Sequence, residues 1–330
     1  MATVDPAAAQ AGHRPQRFGA AFYTNRASWP ALREAVVAAE RAGFDSVWLD
    51  DHLLTDEGAW DDAKLESWTA LAALATLTER VSLGLLVGAN TLRNPGLTAK
   101  LATTIDQLTG GRAILGLGAG WFEREHLAFG IKFGTWIGER LDRLDESAGL
   151  IRRLLDGERV THDGRFYRFD EALVRPRPVQ PRLPILIGGM GRRKTLGIVA
   201  RHADLWNAYG STAELTEARD ALDVACHEIG RDPATIERTL NREVAIRSSR
   251  DAAVDAFEVI RRRHSLPPSR VLVAGGTPAA VAAVTATDAT IGFRHPIWIF
   301  RDPFDLETIG RLPEIRAALA ERDDAPAGTD

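Results

Sequence analysis

The chain has 330 residues, 45% hydrophobic and 26% charged, with 41 basic against 45 acidic side chains and a formal net charge of -4. These proportions exclude a disordered or collagenous chain and a strongly basic, nucleic-acid-binding one. The single cysteine, Cys226, makes no internal disulfide, so a reducing cytoplasm is the expected setting.

Residues 1–17 carry alanine, proline, glycine and charges without the apolar run of a secretory signal, and read as a mobile N-terminal arm. Residues 321–330 read as a polar C-terminal tail, and charges interrupt every window long enough to span a membrane. Between these ends, short apolar runs alternate with amphipathic segments, the pattern of a parallel sheet wrapped by helices. A first strand is predicted over 18–22. Ser28, with Pro30 in the first turn, starts a helix that Gly43 ends. A second strand over 46–49 runs into Asp50, Asp51 and His52, then into an acidic loop reaching Lys64. A helix over 67–78, a strand over 81–87, a helix over 96–108, the turn Gly110-Gly111 and a strand over 113–117 repeat the unit.

The alternation breaks once, after a helix over 138–155. Residues 156–184 are too long for a plain connection. Two apolar arms around Asp163-Gly164, over 160–167, signal a hairpin, and a proline-rich approach follows. Strands near 185–187, 205–208, 242–246 and 296–300 bring the total to eight, with 271–289 the segment whose pattern is weakest. No shift in composition marks a linker. The expectation is an α/β chain forming one (β/α)8 TIM barrel over 18–320, with an insertion between strand 4 and strand 5.

In such barrels the active site lies at the C-terminal ends of the strands. Those positions hold Asp51 and His52, then Gly88, Ala89 and Asn90, then Gly118, Ala119, Gly120 and Trp121, then Gly188, Gly189, Met190 and Gly191. Gly116, Gly118 and Gly120 bring backbone close to something flat, or keep side chains off a pocket wall. Gly188-Gly189-Met190-Gly191-Arg192-Arg193-Lys194 leads into a helix, and its amides and three cations suit a phosphate; a packing turn is the alternative. Trp121 stands where the dinucleotide pattern needs its third glycine, and no Gly-x4-Gly-Lys-Ser/Thr is present. Glu123, Glu125 and His126 lack the spacing of known metal sites, so no metal is expected; Glu123 and His126 read as an exposed helical pair. No Gly-x-Ser-x-Gly occurs, and Cys226 reads as a buried thiol. Phe22, Trp48, Trp121 and Phe122 make the mouth aromatic, with Phe22, Trp48 and Trp121 expected in the substrate pocket. His52 is the one reactive polar group. Chemistry of that kind is supplied by a bound cofactor, with the protein giving orientation and one proton-transfer group.

Several stretches, in order and spacing, resemble the bacterial luciferase-like superfamily, and within it the branch that uses the deazaflavin coenzyme F420. They are Ser46-x-Trp48-x-x-Asp51-His52, Asn90-Thr91-x-Arg93-Asn94-Pro95, Asp106-x-Leu108-x-x-Gly111-Arg112, Gly116-Leu117-Gly118-Ala119-Gly120-Trp121 with Glu125, and Pro184-Ile185-x-Ile187-Gly188-Gly189-x-Gly191. The resemblance runs from about Phe18 to Pro278. It implies a coenzyme lying across the mouth, its phosphate on Gly189, Met190, Gly191 and Arg192 and its ring against Val87, Gly88, Ala89 and Asn90. Ala119, Gly120 and Gly188 complete the cofactor-binding set. It also implies a non-proline cis peptide near Leu86-Val87-Gly88, Asp51 as a coenzyme contact and His52 as the catalytic proton donor or acceptor.

Sugar-phosphate dehydrogenases of this branch carry a glutamate where this chain has Trp121, which suits stacking on a planar or unsaturated substrate. No obvious lysine and arginine pair for a substrate phosphate stands out. The activity implied is hydride transfer between the deazaflavin C5 and an unsaturated, carbonyl or imine small molecule. The alternative in the same superfamily is an FMN-dependent monooxygenase taking reduced flavin from a partner reductase and using oxygen; a barrel that only binds coenzyme is a third. The expected partners are a small-molecule substrate and a second copy in a homodimer, with neither nucleic acid nor membrane. Only four lysines among the basic residues fit a high-GC actinobacterial source.

Overall fold

The computed structural model describes residues 16–323, so most of the arm and the end of the tail lie outside the described residues. In chain order the strands are β1 (Gly19–Tyr23), β2 (Ser46–Leu49), β3 (Ser82–Leu85), β4 (Gly88–Ala89), β5 (Ala113–Gly118), β6 (Val160–Asp163), β7 (Arg168–Ala172), β8 (Ile185–Gly188), β9 (Leu205–Ala208), β10 (Glu237–Ile246), β11 (Ala274–Gly276) and β12 (His295–Arg301). Eight of them pair in parallel in the order β1-β2-β3-β5-β8-β9-β10-β12, and β12 returns to β1 to close a barrel. The TIM-barrel expectation therefore holds. Two short strands are additions: β4 prolongs the line of β3 along β5, and β11 pairs with the last residues of β10.

The helices are α1 (Trp29–Ala42), α2 (Ser67–Ala75), α3 (Pro95–Thr109), α4 (Glu123–Ala128), α5 (Ile137–Leu155), α6 (Thr195–His202), α7 (Thr212–Glu228), α8 (Arg250–Arg263), α9 (Pro278–Thr290), α10 (Leu306–Gly310) and α11 (Leu312–Asp323). Their ends follow local chemistry. The Ser28 hydroxyl accepts from the Ala31 amide at the start of α1, and Gly43 ends it at φ 92°, a left-handed turn that favours glycine. Asn94 caps α3 in the same way, just before its first-turn proline.

The structure departs from the sequence reading in particular places. Helix α2 stops at Ala75 rather than 78, and β10 begins five residues earlier than expected. Helix α11 runs through Glu321 and Arg322, which the tail reading left unstructured. At the other end Arg17 donates its amide to Arg294 and pairs with Glu237, so the last residue assigned to the arm is tied to the barrel. The hairpin β6–β7 is antiparallel, but its connection is Gly164 to Tyr167, and Phe166 and Tyr167 sit in the turn rather than in an arm. A Glu146 carboxylate on α5 accepts from the Phe166 and Tyr167 amides, which holds that wider turn against the barrel.

The barrel interior is filled by Ala21, Trp48, Leu86, Ile114, Leu186, Leu205, Ile297 and Ile299. The fully buried Trp48 is the largest of these. Its neighbours give it room: a Cβ on Gly84 would lie 2.7 Å from Trp48 Cζ3, and one on Gly19 would lie 3.1 Å from its Nε1. The indole Nε1 donates to Ser46 Oγ at 2.8 Å. Ser46 in turn meets His295 Nε2 at 2.8 Å, and His295 Nδ1 meets Glu237 at 2.6 Å, so the polar chain beneath the tryptophan ends in the Arg17 pair. Burial holds the His295 imidazole below its usual pKa, against the pull of Glu237.

This packing makes a test. Gly84→Ala overfills the barrel floor and lowers stability by about 1–3 kcal/mol, read as a lower midpoint in denaturant unfolding followed by tryptophan fluorescence. An unchanged midpoint would mean that Trp48 is not confined by its neighbouring strands.

Candidate functional site

The third barrel strand does not run straight to the mouth. After β3 the chain crosses a non-proline cis peptide between Leu86 and Val87 and re-pairs with β5 as β4. The cis bond falls where the family resemblance put it. Three glycines accommodate this displacement: a Cβ on Gly116 would overlap the Leu85 carbonyl oxygen, one on Gly118 would lie 2.6 Å from Val87 Cγ2, and one on Gly188 would lie 3.1 Å from Val87 Cγ1. Gly116 and Gly118 therefore make room for their own chain, a reason the reading in terms of a flat ligand did not contain.

Asp51 fixes the displaced segment. Its Oδ2 accepts from the Ala89 amide at 3.0 Å and from Arg93 Nη1 at 2.7 Å, and its Oδ1 accepts from Arg93 Nη2 at 3.1 Å. Arg93 also pairs with Glu66 and lies over the Trp68 ring. Burial pushes the Asp51 carboxyl up, and Arg93 opposes the shift. Both oxygens of Asp51 are thus engaged by protein, and through Ala89 the carboxylate positions the wall made by Val87, Gly88, Ala89 and Asn90, a role the sequence reading did not contain. Asn90 Nδ2 reaches Tyr167 Oη at 3.1 Å and ties the inserted hairpin to that wall.

His52 lies between two carboxylates. Its Nδ1 donates to Glu125 Oε1 at 3.1 Å, and its Nε2 lies 3.6 Å from Asp56 Oδ2. Glu125 Oε2 accepts from the Leu53 amide at 2.7 Å, which fixes the carboxylate and so the ring tautomer. Trp121 and Phe122 stand edge-on to the imidazole at 5.4 and 5.7 Å. Burial disfavours the imidazolium, yet the bond to Glu125 and the charges of Asp56, Asp50 and Glu125 outweigh it and raise the His52 pKa above its ordinary value. The same burial pushes the Asp56 carboxyl up, against the His52 charge. Asp56 continues into a polar chain: Asn25 Nδ2 donates to it at 3.0 Å, Lys64 donates to Asn25 Oδ1 at 2.7 Å, and Lys64 pairs with Asp50.

Two expected pocket residues lie elsewhere. Phe22 is fully buried on the outer face of β1, stacked on Phe300 and edge-on to Phe304 beneath the helices. The strand's alternation puts Tyr23, not Phe22, toward the mouth. Trp48 fills the floor described above, while Trp121 is 62% exposed beside His52. His126 is buried rather than exposed; its Nδ1 donates to the Phe122 carbonyl at 2.9 Å, and its Nε2 accepts from Thr91 Oγ1 at 2.8 Å.

Beyond Gly188, which lies against Val87, Gly189, at φ 123°, leads through Met190 and Gly191 to α6. Among the described residues, the amides of Met190, Gly191, Arg192 and Arg193 have no protein acceptor, so the turn offers four donors to an anion. Its side chains are less free than expected: Arg192 pairs with Glu217 and Lys194 with Asp142, which leaves Arg193, among the described residues, as the one of the three cations without an ion pair. Ala119 and Gly120 complete the rim beside Trp121, Gly120 at φ 77° against Thr91.

Glu125, Asp56, Tyr23 and Lys64 were not assigned to the site from sequence. Glu125 was visible as part of the family pattern, and strand alternation would have selected Tyr23; the loop contacts of Asp56 and Lys64 had no sequence signal.

A family profile described as luciferase-like monooxygenase matches residues 6–286 of the chain. The F420-dependent glucose-6-phosphate dehydrogenase of Nakamurella multipartita is 33% identical over 86% of this chain and 90% of its own, and that of Microbacterium testaceum is 31% identical over 93% and 99%. An F420-dependent secondary alcohol dehydrogenase, solved with an F420–acetone adduct, superposes with a TM-score of 0.80 at 19% identity, over 93% of this chain and 99% of its own, a likeness of fold. The chain belongs to the luciferase-like monooxygenase family.

The His52 environment is directly measurable. The imidazole should titrate in NMR with a midpoint above about 6.5, and Glu125→Gln should lower it. Because the folded value is raised, the stability His52 contributes is complete below about pH 6.5 and is lost as pH rises through the folded midpoint. A midpoint at or below 6.5 in the wild-type chain would contradict the arrangement.

Proposed function

We propose that the protein is a coenzyme F420-dependent oxidoreductase that reduces a carbonyl, imine or conjugated double bond of a small molecule. The observation that carries the reading is His52, held by Glu125 and next in the chain to Asp51, which binds the displaced end of the third barrel strand. The curated relatives, named for F420 dependence across most of both chains, support the choice of coenzyme. The residues also fit the group: the free amides of Met190, Gly191, Arg192 and Arg193 suit its phosphate, and Val87, Gly88, Ala89 and Asn90 form a wall for its ring. Ala119, Gly120, Gly188 and Gly189 keep the rim low where the ring would pass.

When bound, the deazaflavin exchanges a hydride at its C5 carbon. The chain's own part is orientation and proton transfer. Glu125 fixes His52 with Nδ1 occupied, which leaves Nε2 to give a proton to the substrate oxygen or nitrogen as the carbon is reduced. A raised pKa shifts the imidazole toward its charged form, the state a proton donor needs. Trp121, exposed at the rim beside His52, offers a face on which a planar substrate stacks.

Anaerobic titration with reduced F420 and reduced FMN tests the coenzyme. F420 should bind, and bind more tightly than FMN; binding of FMN alone, with oxygen consumed in the presence of substrate, would overturn the reading. His52→Asn should leave F420 affinity unchanged and lower kcat by about 10²–10⁴-fold. A kcat equal to wild type would remove the proton-transfer role.

A further inference from the structure

The mouth of the barrel holds a buried arginine whose charge is already matched. Arg301, at the end of β12, is 1% exposed in its side chain. Its Nε and Nη2 donate to Glu57 at 2.6 and 2.9 Å, and its Nη1 and Nη2 donate to Glu243 at 2.8 and 3.1 Å. The guanidinium lies over the Tyr23 ring, 5.0 Å from its centroid. Glu57 follows Asp56, the carboxylate that faces His52 Nε2, so this cluster borders the space where a substrate would meet His52. Two forked carboxylates on one guanidinium occupy the donors that would otherwise recognise an anion.

Two other cations of the mouth are committed in the same way. Lys64, 2% exposed, is held by Asp50 and Asn25, and Arg93 by Asp51 and Glu66. Arg270 lies 3.7 Å from Glu243 and 4.0 Å from Glu57. A phosphate or carboxylate entering beside His52 would meet Asp56 and find Arg301, Lys64 and Arg93 already paired.

We propose that Glu57 and Glu243 are specificity-determining residues: by clamping Arg301 they withdraw the buried cation an anionic substrate would need, so the site takes a substrate without a phosphate or carboxylate group. This rests on the oxidoreductase reading above and separates the chain from relatives named for glucose 6-phosphate.

Calorimetric titration of glucose 6-phosphate, into the free chain and into the chain saturated with F420, tests the proposal. Wild type should show no saturable binding up to about 10 mM. The Glu57→Gln/Glu243→Gln variant, which keeps side-chain volume and frees the guanidinium charge, should bind at least about tenfold more tightly. Submillimolar binding or turnover of glucose 6-phosphate by wild type would overturn the proposal, and so would a folded double variant with no gain. The wild-type arm decides even if the variant fails to fold. Failure of F420 to bind would instead remove the coenzyme reading and leave the free-chain titration to judge the anion preference.

Discussion

One buried carboxylate anchors the end of the third barrel strand, and the candidate site is arranged around it. Asp51 accepts from the Ala89 amide and from both terminal nitrogens of Arg93, which holds the chain beyond Val87 where β4 pairs with β5, one residue out of the register of β3. Removing one partner from such a buried pair costs roughly 3–5 kcal/mol, because the other charge is left without compensation. The displaced segment then dictates its surroundings. Gly116, Gly118 and Gly188 must lack side chains, Asn90 is presented to Tyr167 of the inserted hairpin, and the wall beside His52 takes its shape from Val87.

Charge is distributed to the same end. His52 sits between Glu125 and Asp56, while Lys64, Arg93 and Arg301 are each held by carboxylates. The imidazole holds Nδ1 on Glu125 and turns Nε2 toward Asp56. The cradle before α6 differs from this acidic cluster, since its donors are backbone amides and Arg193 beside it has no ion pair among the described residues. The proposed site thus pairs a cradle suited to an anionic group with His52 as the proposed proton-transfer group.

Much of the architecture was legible because parallel strands buried on both faces read as short apolar runs, and helix ends carry Ser28, Asn94 and Gly43. His52 and the site of the cis peptide were legible as well, the second only through family resemblance. Phe22 and Trp48 were misplaced because composition shows that aromatics cluster near strand ends but not which face each one takes. Trp48 lies two positions before the mouth and fills the floor, and the alternation of β1 turns Phe22 outward. The clamp of Glu57 and Glu243 on Arg301 joins residues 58 to 244 positions apart, a contact that no local pattern reports. Glycines were over-read for a related reason: their role depends on which neighbour approaches, and here that neighbour is the chain itself.

Amide hydrogen exchange on addition of F420 tests the central claim most directly, namely that the displaced strand end and the cradle before α6 form one coenzyme site. The account predicts added protection in two separate stretches, Val87, Gly88, Ala89 and Asn90 on one side and Met190, Gly191, Arg192 and Arg193 on the other. Saturable binding of F420 with neither stretch protected, or with protection confined to the outer helices, would contradict it.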